Sequence, residues 1–412
     1  MKQLSLRAQA EALQTQLITW RRELHAHPEL AFEEHLTSAF VANVLDGIGG
    51  YQVSRNVGRT GVVAELRSGD GPLIALRADM DALPIEERNT FAFRSQNEGR
   101  MHACGHDGHT AMLLGAAILL KSLFAGGSLR GGVRLLFQPA EEAADENGKS
   151  GAPYMLEEGA LDGVDLALAL HMNPAQPYGS LQMWSGNAMA SVDTFEGTLI
   201  GKGGHGGYPH LGVDPLWMLV PVLSALHGIV SRRVSPLEAA VVTVGSVNGG
   251  TACNIIPDEV VLSGTMRTFD VATRAVLEAE IRRAFSLARE LGGDYRLNIK
   301  HESPPLKNSP QANRLMQAAL HRMYPHAQEV WAPFGMPGED FAFIAEKVPA
   351  AMAFLGCATP DGVERGLHTP IFDMDERCLP MGAALMADCV RQALSGRFAL
   401  DKDKQSGVAS NA

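Results

Sequence analysis

Apolar residues recur along the chain in two kinds of pattern, which separate predicted helices from predicted strands. A spacing of three to four residues is typical of a helix with one buried face, whereas short apolar runs are typical of buried strands. The two kinds of segment alternate through the first half of the chain, which predicts an α/β layer with a mainly parallel sheet. The predicted elements are helices at 6–24 and 107–123 and strands at 61–66, 73–79, 132–138 and 165–171.

The pattern changes after about residue 190. Strands and helices then follow the order β-α-β-β-α-β up to about residue 302, which is the layout of a ferredoxin-like domain. The earlier helix–strand alternation returns after the "SPP" at 303–305. We therefore predict that a smaller α+β domain is inserted into a larger one. The predicted boundaries are 1–188 and 303–400 for the larger domain, 189–302 for the inserted domain and 401–412 for a polar tail.

Composition and charge argue against several classes of protein. The 412-residue chain is 46% hydrophobic with a net charge of −11, whereas a nucleic-acid-binding protein needs basic surface. Five widely spaced cysteines do not form the pattern of a disulfide framework, and the N-terminus lacks the features of a secretory signal. The longest apolar run is too short to cross a bilayer. We expect a cytoplasmic protein that binds neither nucleic acid nor membrane.

Side chains with metal-binding or acid–base chemistry follow several predicted strands of the larger domain. Because ligands bind beyond the carboxyl ends of strands in open α/β sheets, we expect these side chains to meet at one edge. Thiolate, imidazole and carboxylate groups are usual ligands of zinc, and the last two also suit manganese, cobalt or nickel. Two adjacent glutamates can divide the work, one as a ligand and one as a general base. The residues concerned are Asp79, Asp81, Cys104, His106, Glu141, Glu142, His171 and His368.

Taken one at a time, these residues have simpler interpretations. A Cys104–His106 pair is more often explained by packing or chance, and paired glutamates by the preference of acidic residues for a helix start. His171 alone would be a histidine with satisfied hydrogen bonds at a strand end, and His368 alone a polar loop residue. A metal site is indicated because separate segments place such groups at the same predicted edge.

Several motifs together resemble a family of dinuclear-metal amidohydrolases. This family includes bacterial hippurate hydrolases, N-acyl-amino-acid amidohydrolases and plant auxin-conjugate hydrolases, and it is related to aminoacylase-1 and carboxypeptidase G. The resemblance covers about residues 21–376 and implies a zinc-peptidase-like catalytic domain with an inserted ferredoxin-like domain. The motifs are "RRELHAHPELAFEE", "ALRADMDALPI", "MHACGHDGHTAMLLGAA", "FQPAEE", "ALHMNP", "GKGGHGGYPH", "GTMRTF", "GEDFAF" and "GLHTPIFDMDE".

The resemblance implies a site for two divalent metal ions, with zinc, manganese, cobalt and nickel as candidates. It implies Glu141 as the catalytic base and Asp81 as a residue that orients a ligand. The wider superfamily has His-x-Asp where this chain has Asp79-Met80-Asp81, so the Cys-Gly-His segment supplies ligands in place of Asp79. The implied ligands are Cys104, His106, Glu142, His171 and His368.

The inserted domain resembles the lid and dimerisation domain of that family. The resemblance implies a homodimer in which His205 reaches the neighbouring active site and polarises the scissile carbonyl; a surface loop histidine is the alternative. Asn254 is expected near the substrate. Arg267 either binds the substrate carboxylate in a bidentate manner or belongs to a structural ion pair. Glu339 and Asp340 start a predicted helix, which the resemblance puts at the rim of the substrate pocket.

The function implied is hydrolysis of the amide bond of a small N-acyl amino acid, of the hippurate or N-acetyl type. The products are a carboxylic acid and a free amino acid. A dipeptidase or an N-acetyl-diamino-acid deacetylase would use the same mechanism, and a non-catalytic metal- or ligand-binding protein is the alternative from another class. Glu141 discriminates, because a binding protein has no need of a second glutamate beside Glu142.

Overall fold

The computed structural model describes residues 4–398 and contains two layered units, each built around its own sheet. The predicted polar tail at 401–412 lies outside the described residues. The strands are β1 (Gln52–Val57), β2 (Gly61–Ser68), β3 (Leu73–Asp79), β4 (Gly131–Gln138), β5 (Leu166–Pro177), β6 (Ser180–Met183), β7 (Gly186–Met189), β8 (Val192–Ile200), β9 (Gly204–His205), β10 (Ala240–Gly249), β11 (Ile255–Ile256), β12 (Glu259–Thr268), β13 (Asp294–Ser303), β14 (Leu306–Asn308), β15 (Gln328–Trp331) and β16 (Ala350–Ala358).

The helices begin and end close to the predicted positions, with one exception. The single helix predicted at 6–24 is two helices, because the Leu13 N–H bonds to the Ala10 carbonyl three residues back and interrupts the regular ladder. The helices are α1 (Leu6–Ala12), α2 (Gln14–Ala26), α3 (His35–Ile48), α4 (His106–Ala125), α5 (Gly151–Glu157), α6 (Pro215–Arg233), α7 (Val271–Glu290), α8 (Pro310–Met323), α9 (Phe341–Ala345) and α10 (Cys378–Leu394).

The larger sheet has eight strands in the order β1-β2-β4-β3-β5-β16-β6-β15, and it is parallel from β4 to β16. All residues of β3 are buried, because alternate side chains enter two separate cores. Ile74 and Leu76 pack into the core formed with α1–α4, α8 and α10, whereas Leu73 and Ala75 pack into the core formed with α5 and α9. This sandwich leaves the carboxyl ends of the parallel strands as the available edge.

The smaller sheet is antiparallel, with the order β10-β12-β8-β13, and α6 and α7 pack against one of its faces. The predicted β-α-β-β-α-β order is therefore present as β8-α6-β10-β12-α7-β13. We call residues 192–303 the inserted domain. The chain leaves and re-enters the larger unit through β7 and β14, which pair with each other in an antiparallel manner.

Two helices, α4 and α6, are long and apolar enough to cross a membrane by length and composition alone. The longest uninterrupted apolar run, at 111–120, is shorter than α4, the helix that contains it. The composition of α4 has another explanation, because this helix is largely buried between α10, α2 and the large sheet. Helix α6 buries only one face, against the sheet of the inserted domain.

Candidate metal centre

The carboxyl edge of the large sheet brings together groups from four separate segments. Cys104 and His106 lie at the start of α4, Glu142 follows β4, His171 lies within β5, and His368 belongs to the loop before α10. Gly105, between the first two, has φ of +88°, and a Cβ there would lie 2.9 Å from the Met172 side chain. Only glycine fits this turn, which lets its two neighbours face the same space.

The donor atoms form overlapping groups of a size that suits metal ions. Cys104, His106 and His171 form one group, and Cys104, Glu142 and His368 form another; within each group the donor atoms lie within 4.8 Å of one another. Glu142 Oε1 lies 3.3 Å from His368 Nε2 and 3.7 Å from His106 Nε2. The two groups share Cys104, so the donor set can accommodate two cations with a ligand in common.

Backbone carbonyls fix the orientation of two imidazoles. The Nδ1 atoms of His106 and His171 lie 2.8 Å from the carbonyl oxygens of Asp81 and Met172, respectively. Because a carbonyl can only accept, each Nδ1 carries a hydrogen and each Nε2 faces the cluster. The His106 Nε2 atom is buried and has no hydrogen-bond partner among the described residues. A buried ring nitrogen in this position fits a metal ligand, which releases its proton when a cation binds.

The electrostatics of the cluster also fit cations. Burial lowers the pKa of His106, but the carboxylates of Asp79, Asp81 and Glu142 outweigh that effect and raise the pKa to about 10. Burial and the nearby carboxylates raise the pKa of the Cys104 thiol well above its usual value. The site therefore attracts positive charge and keeps its thiol protonated until a cation displaces the proton.

Asp81 and Asp79 have different surroundings although they are two residues apart. Asp81 Oδ2 accepts the Glu142 N–H at 2.9 Å, while its carbonyl accepts from His106, so Asp81 contacts two candidate ligands. Both carboxylate oxygens of Asp79 are occupied, one by Arg77 and one by His109. His109 in turn accepts the Met172 N–H through Nε2. The polar atoms of Asp79 and His109 are therefore used in hydrogen bonds that hold Arg77 and the Met172 backbone beside the site.

Glu141 faces a group of carboxylates that is compensated by one buried arginine. Arg77 donates to Asp79, Glu339 and Asp340 at 2.6–2.9 Å. Burial, together with Glu339, Glu142 and Asp340, raises the pKa of Glu141 well above its usual range, and the Arg77 charge only partly opposes this. The sequence interpretation gave Arg77 no role. Glu339 does cap α9 by accepting the Phe341 N–H, but it also belongs to this network.

An open cleft of about 610 Å³ lies over the cluster. Its lining includes Cys104, Glu141, Glu142, His171 and His368, together with residues of the inserted domain such as Arg267.

The guanidinium of Arg267 is half-buried, and burial lowers its pKa. It bonds only to backbone carbonyls among the described residues. His205 and Asn254 lie elsewhere: His205 is in β9, Asn254 directly precedes β11, which pairs with β9, and both side chains are exposed and do not line the cleft.

The chain is similar to several known proteins. The family described as "Peptidase family M20/M25/M40" matches residues 75–392. The chain is 40% identical to the N-acetyl-L-cysteine deacetylase of Bacillus subtilis, over 99% of this chain and 94% of that protein. It is 42% identical to the N-acyl-L-amino acid amidohydrolase of Geobacillus stearothermophilus, over 72% of this chain and 79% of that protein.

Among solved structures, a Bacillus subtilis protein described as a dinuclear metal binding peptidase from the M20 family superimposes with a TM-score of 0.81. That protein is 35% identical to this chain, and the match covers 94% of this chain and 100% of the other. The resemblance drawn from the motifs is confirmed by these comparisons, and so is the predicted fold class.

Proposed function

Because the chain belongs to peptidase family M20/M25/M40, we propose that it is a metal-dependent amidohydrolase that cleaves N-acyl amino acids. The observation that carries this proposal is the position of Glu141. Its carboxylate lies within 4.8 Å of the donor atoms of His106 and Glu142 and forms a further group with Glu339 and Asp340, but it is outside the two groups that share Cys104. Because those two groups contain all the implied ligands, the Glu141 carboxylate is left to move protons.

We propose that this donor set binds two divalent ions and that Cys104 is a ligand common to both. The ions would lower the pKa of a bound water and polarise the substrate carbonyl. Mixed sulfur, nitrogen and oxygen ligation suits zinc, and manganese, cobalt and nickel are also candidates. Asp81 orients His106 and holds the Glu142 backbone. The assigned ligands are Cys104, His106, Glu142, His171 and His368.

Glu141 moves the proton in this mechanism. Its carboxylate accepts a proton from the attacking water and returns it to the nitrogen of the departing amine. Burial and the neighbouring Glu339 and Glu142 carboxylates raise the pKa of Glu141. The amine nitrogen becomes basic as the C–N bond breaks and takes the proton from Glu141.

Arg267 is assigned to the carboxylate of the substrate. A half-buried guanidinium that hydrogen-bonds only to backbone carbonyls among the described residues is available for a bidentate contact. Phe334, Phe354, Met189 and Leu367 line the same cleft and supply an apolar wall for the acyl group. The substrate class is therefore a small N-acyl amino acid of the hippurate or N-acetyl type.

The half-buried Glu302 favours a second candidate substrate. Its carboxylate lines the same cleft and accepts a hydrogen bond from Thr194 at 3.0 Å. A carboxylate at this position suits a substrate with a second, cationic amino group, as in an N-acetyl diamino acid. A panel that includes such compounds distinguishes the two classes.

We further propose a homodimer formed through the inserted domain, in which His205 and Asn254 serve the partner's active site. Helix α6 exposes Leu216, Trp217 and Val220, an apolar surface of the kind that marks protein interfaces. A histidine donor there would stabilise the oxyanion of the transition state. The acidic net charge of −11 supports a small-molecule enzyme rather than a nucleic-acid-binding one, and the unpaired cysteines support a cytoplasmic location.

The test compares Glu141→Gln with a matched loop variant, Glu146→Gln, whose side chain is exposed. Metal-loaded proteins are incubated with N-acetyl, N-benzoyl and diamino-acid substrates, and released amine is measured beside metal content. We expect Glu141→Gln to keep its metal and to lose about 10³-fold or more in kcat, because the proton acceptor is gone. Glu146→Gln should match the wild type. A kcat for Glu141→Gln within tenfold of the wild type would remove Glu141 from the mechanism.

A further inference from the structure

The turn that carries the two glutamates begins with a residue in an unfavourable backbone conformation. Ala140 is buried and has φ of +47°, in the left-handed region that costs an L-residue roughly 1–2 kcal/mol. Its carbonyl accepts the Gly151 N–H at 2.8 Å. Its N–H does not bond to the backbone of the sheet. A conformation of this kind persists only when surrounding groups hold it.

A buried carboxylate from a distant segment holds this turn. Glu34, just before α3, accepts the Ala140 N–H at Oε1 with a distance of 2.8 Å. The same oxygen accepts the N–H of Phe32 at 3.0 Å, and Phe32 is a second non-glycine residue with positive φ, +63°. The other oxygen accepts from the Thr60 hydroxyl. Each carboxylate oxygen of Glu34 therefore has a protein donor.

Asp81 holds the other side of the same turn. Its Oδ2 accepts the Glu142 N–H at 2.9 Å, so the residues on both sides of Glu141 donate to buried carboxylates. The two peptides that flank Glu141 are held by the bond from the Gly151 N–H to the Ala140 carbonyl and by the bond from the Glu142 N–H to Asp81. The bond to Glu34 fixes the peptide before Ala140, and the three bonds together set the backbone that carries the Glu141 side chain. Glu34 itself is buried and does not line the cleft.

We propose that Glu34 is a positioning residue for Glu141: by accepting the Ala140 N–H it holds the left-handed turn that aims the general base. The inference rests on the proposed function, since it concerns the aim of the proposed base. A purely structural role would predict that removing Glu34 lowers stability while leaving kcat unchanged. A positioning role predicts a fall in kcat at unchanged KM and metal content, because a misplaced base affects the proton transfer rather than substrate binding.

The experiment compares two substitutions at residue 34 in the metal-loaded, full-length protein. Glu34→Met keeps the length of the side chain but removes both acceptors, so we expect kcat to fall about 10- to 100-fold with KM within twofold of the wild type. Glu34→Gln keeps an acceptor for the Ala140 N–H and can donate its amide to Thr60, so it should restore kcat to within threefold of the wild type. Metal content, measured by elemental analysis, should remain that of the wild type in both variants.

Glu29 provides the matched control. It is buried in the same segment and accepts two backbone N–H groups, those of Leu36 and Thr37, but has no contact with Ala140. Glu29→Met should lower the melting temperature while kcat stays within twofold of the wild type.

Three results would overturn the inference: a Glu34→Met kcat within twofold of the wild type, an equal loss of kcat in Glu29→Met, or a loss explained by missing metal. If Glu34→Met is insoluble, Glu34→Asp replaces it under the same criteria, because its carboxylate falls about 1.5 Å short of the Ala140 N–H. A wild type inactive on every substrate of the panel would overturn the proposed function and this inference with it. An active wild type with an unaffected Glu34→Met would overturn the inference alone.

Discussion

The carboxyl edge of the large sheet and the inserted domain differ in how completely one chain builds them. At the sheet edge, Cys104, His106 and His171 are buried, and backbone carbonyls orient both imidazoles. In the inserted domain, His205 and Asn254 are exposed, and the His205 ring has a hydrogen bond only to the N–H of Gly207 among the described residues. The first region is preorganised within one chain, whereas the role proposed for the second depends on a partner subunit.

The two regions also differ in the surroundings of their charges. Arg77 is fully buried with three carboxylates, so each charge depends on the others for solvation. In the inserted domain, pairs such as Arg289–Asp294 lie in water, which screens them. A charge removed from the Arg77 network should therefore have a far larger effect than one removed from an exposed pair of the inserted domain, where the buried Asp193, in contact with Arg274 and His301, is an exception.

The largest effect that we expect is on stability, from Arg77→Met. This substitution leaves the buried carboxylates of Asp79, Glu339 and Asp340 uncompensated, and the free energy of unfolding should fall by about 3–5 kcal/mol. Urea denaturation measures the change. Arg289→Met is the matched variant in the inserted domain and should leave the midpoint unchanged; equal losses in the two variants would refute the contrast.

A somewhat smaller effect is expected on kcat, from His205→Ala. Loss of one donor to a transition-state oxyanion costs about 10²- to 10³-fold, and metal content should not change. Co-expression of His205→Ala with Glu141→Gln tests whether the histidine acts across subunits. In a mixed dimer one site combines an intact Glu141 with the partner's His205, so random pairing should restore about one quarter of wild-type activity. Absence of recovery in purified mixed dimers would place His205 outside the partner's site.

The smallest effect is expected on KM, from Arg267→Lys at the junction of the two regions. Lysine keeps the charge but loses the planar, bidentate geometry, so KM for N-acyl amino acids should rise about tenfold with little change in melting temperature. Arg296→Lys, exposed on strand β13 of the same sheet, is the control and should leave KM unchanged. If Arg267→Lys lowers the melting temperature and leaves KM as it was, the arginine is structural.

Local pattern was enough to predict most elements and to select the candidate ligand groups, whose donor atoms lie close together in the structure. Cys104 and His106 lie in a short segment whose residue types indicate their chemistry. Glu142 follows a recognisable strand and His171 lies within another, whereas His368 was selected from a loop. The role of Arg77 could not be predicted in this way, because its partners Glu339 and Asp340 are more than 250 residues away in the chain. Glu34 is a similar case: its contact with Ala140 spans 106 residues, and no short motif records that a turn needs an outside acceptor.

The spacing of apolar residues also could not predict that the helix expected at 6–24 is divided into two, and the reason is different. Helix α1 and helix α2 keep the same apolar period on both sides of Leu13, and only the hydrogen bond to Ala10 reveals the interruption. Periodicity reports which face is buried, whereas continuity depends on the backbone ladder.

The pairing of β7 with β14 gives the insertion a modular character. Met189 lies opposite Leu306, so the points of departure and return are neighbours, and excising everything between them would leave a gap that a short hairpin could bridge. The large sheet would lose none of its strands. Relatives of this fold could thus exchange, enlarge or discard the intervening segment during evolution without redesigning the hydrolytic core.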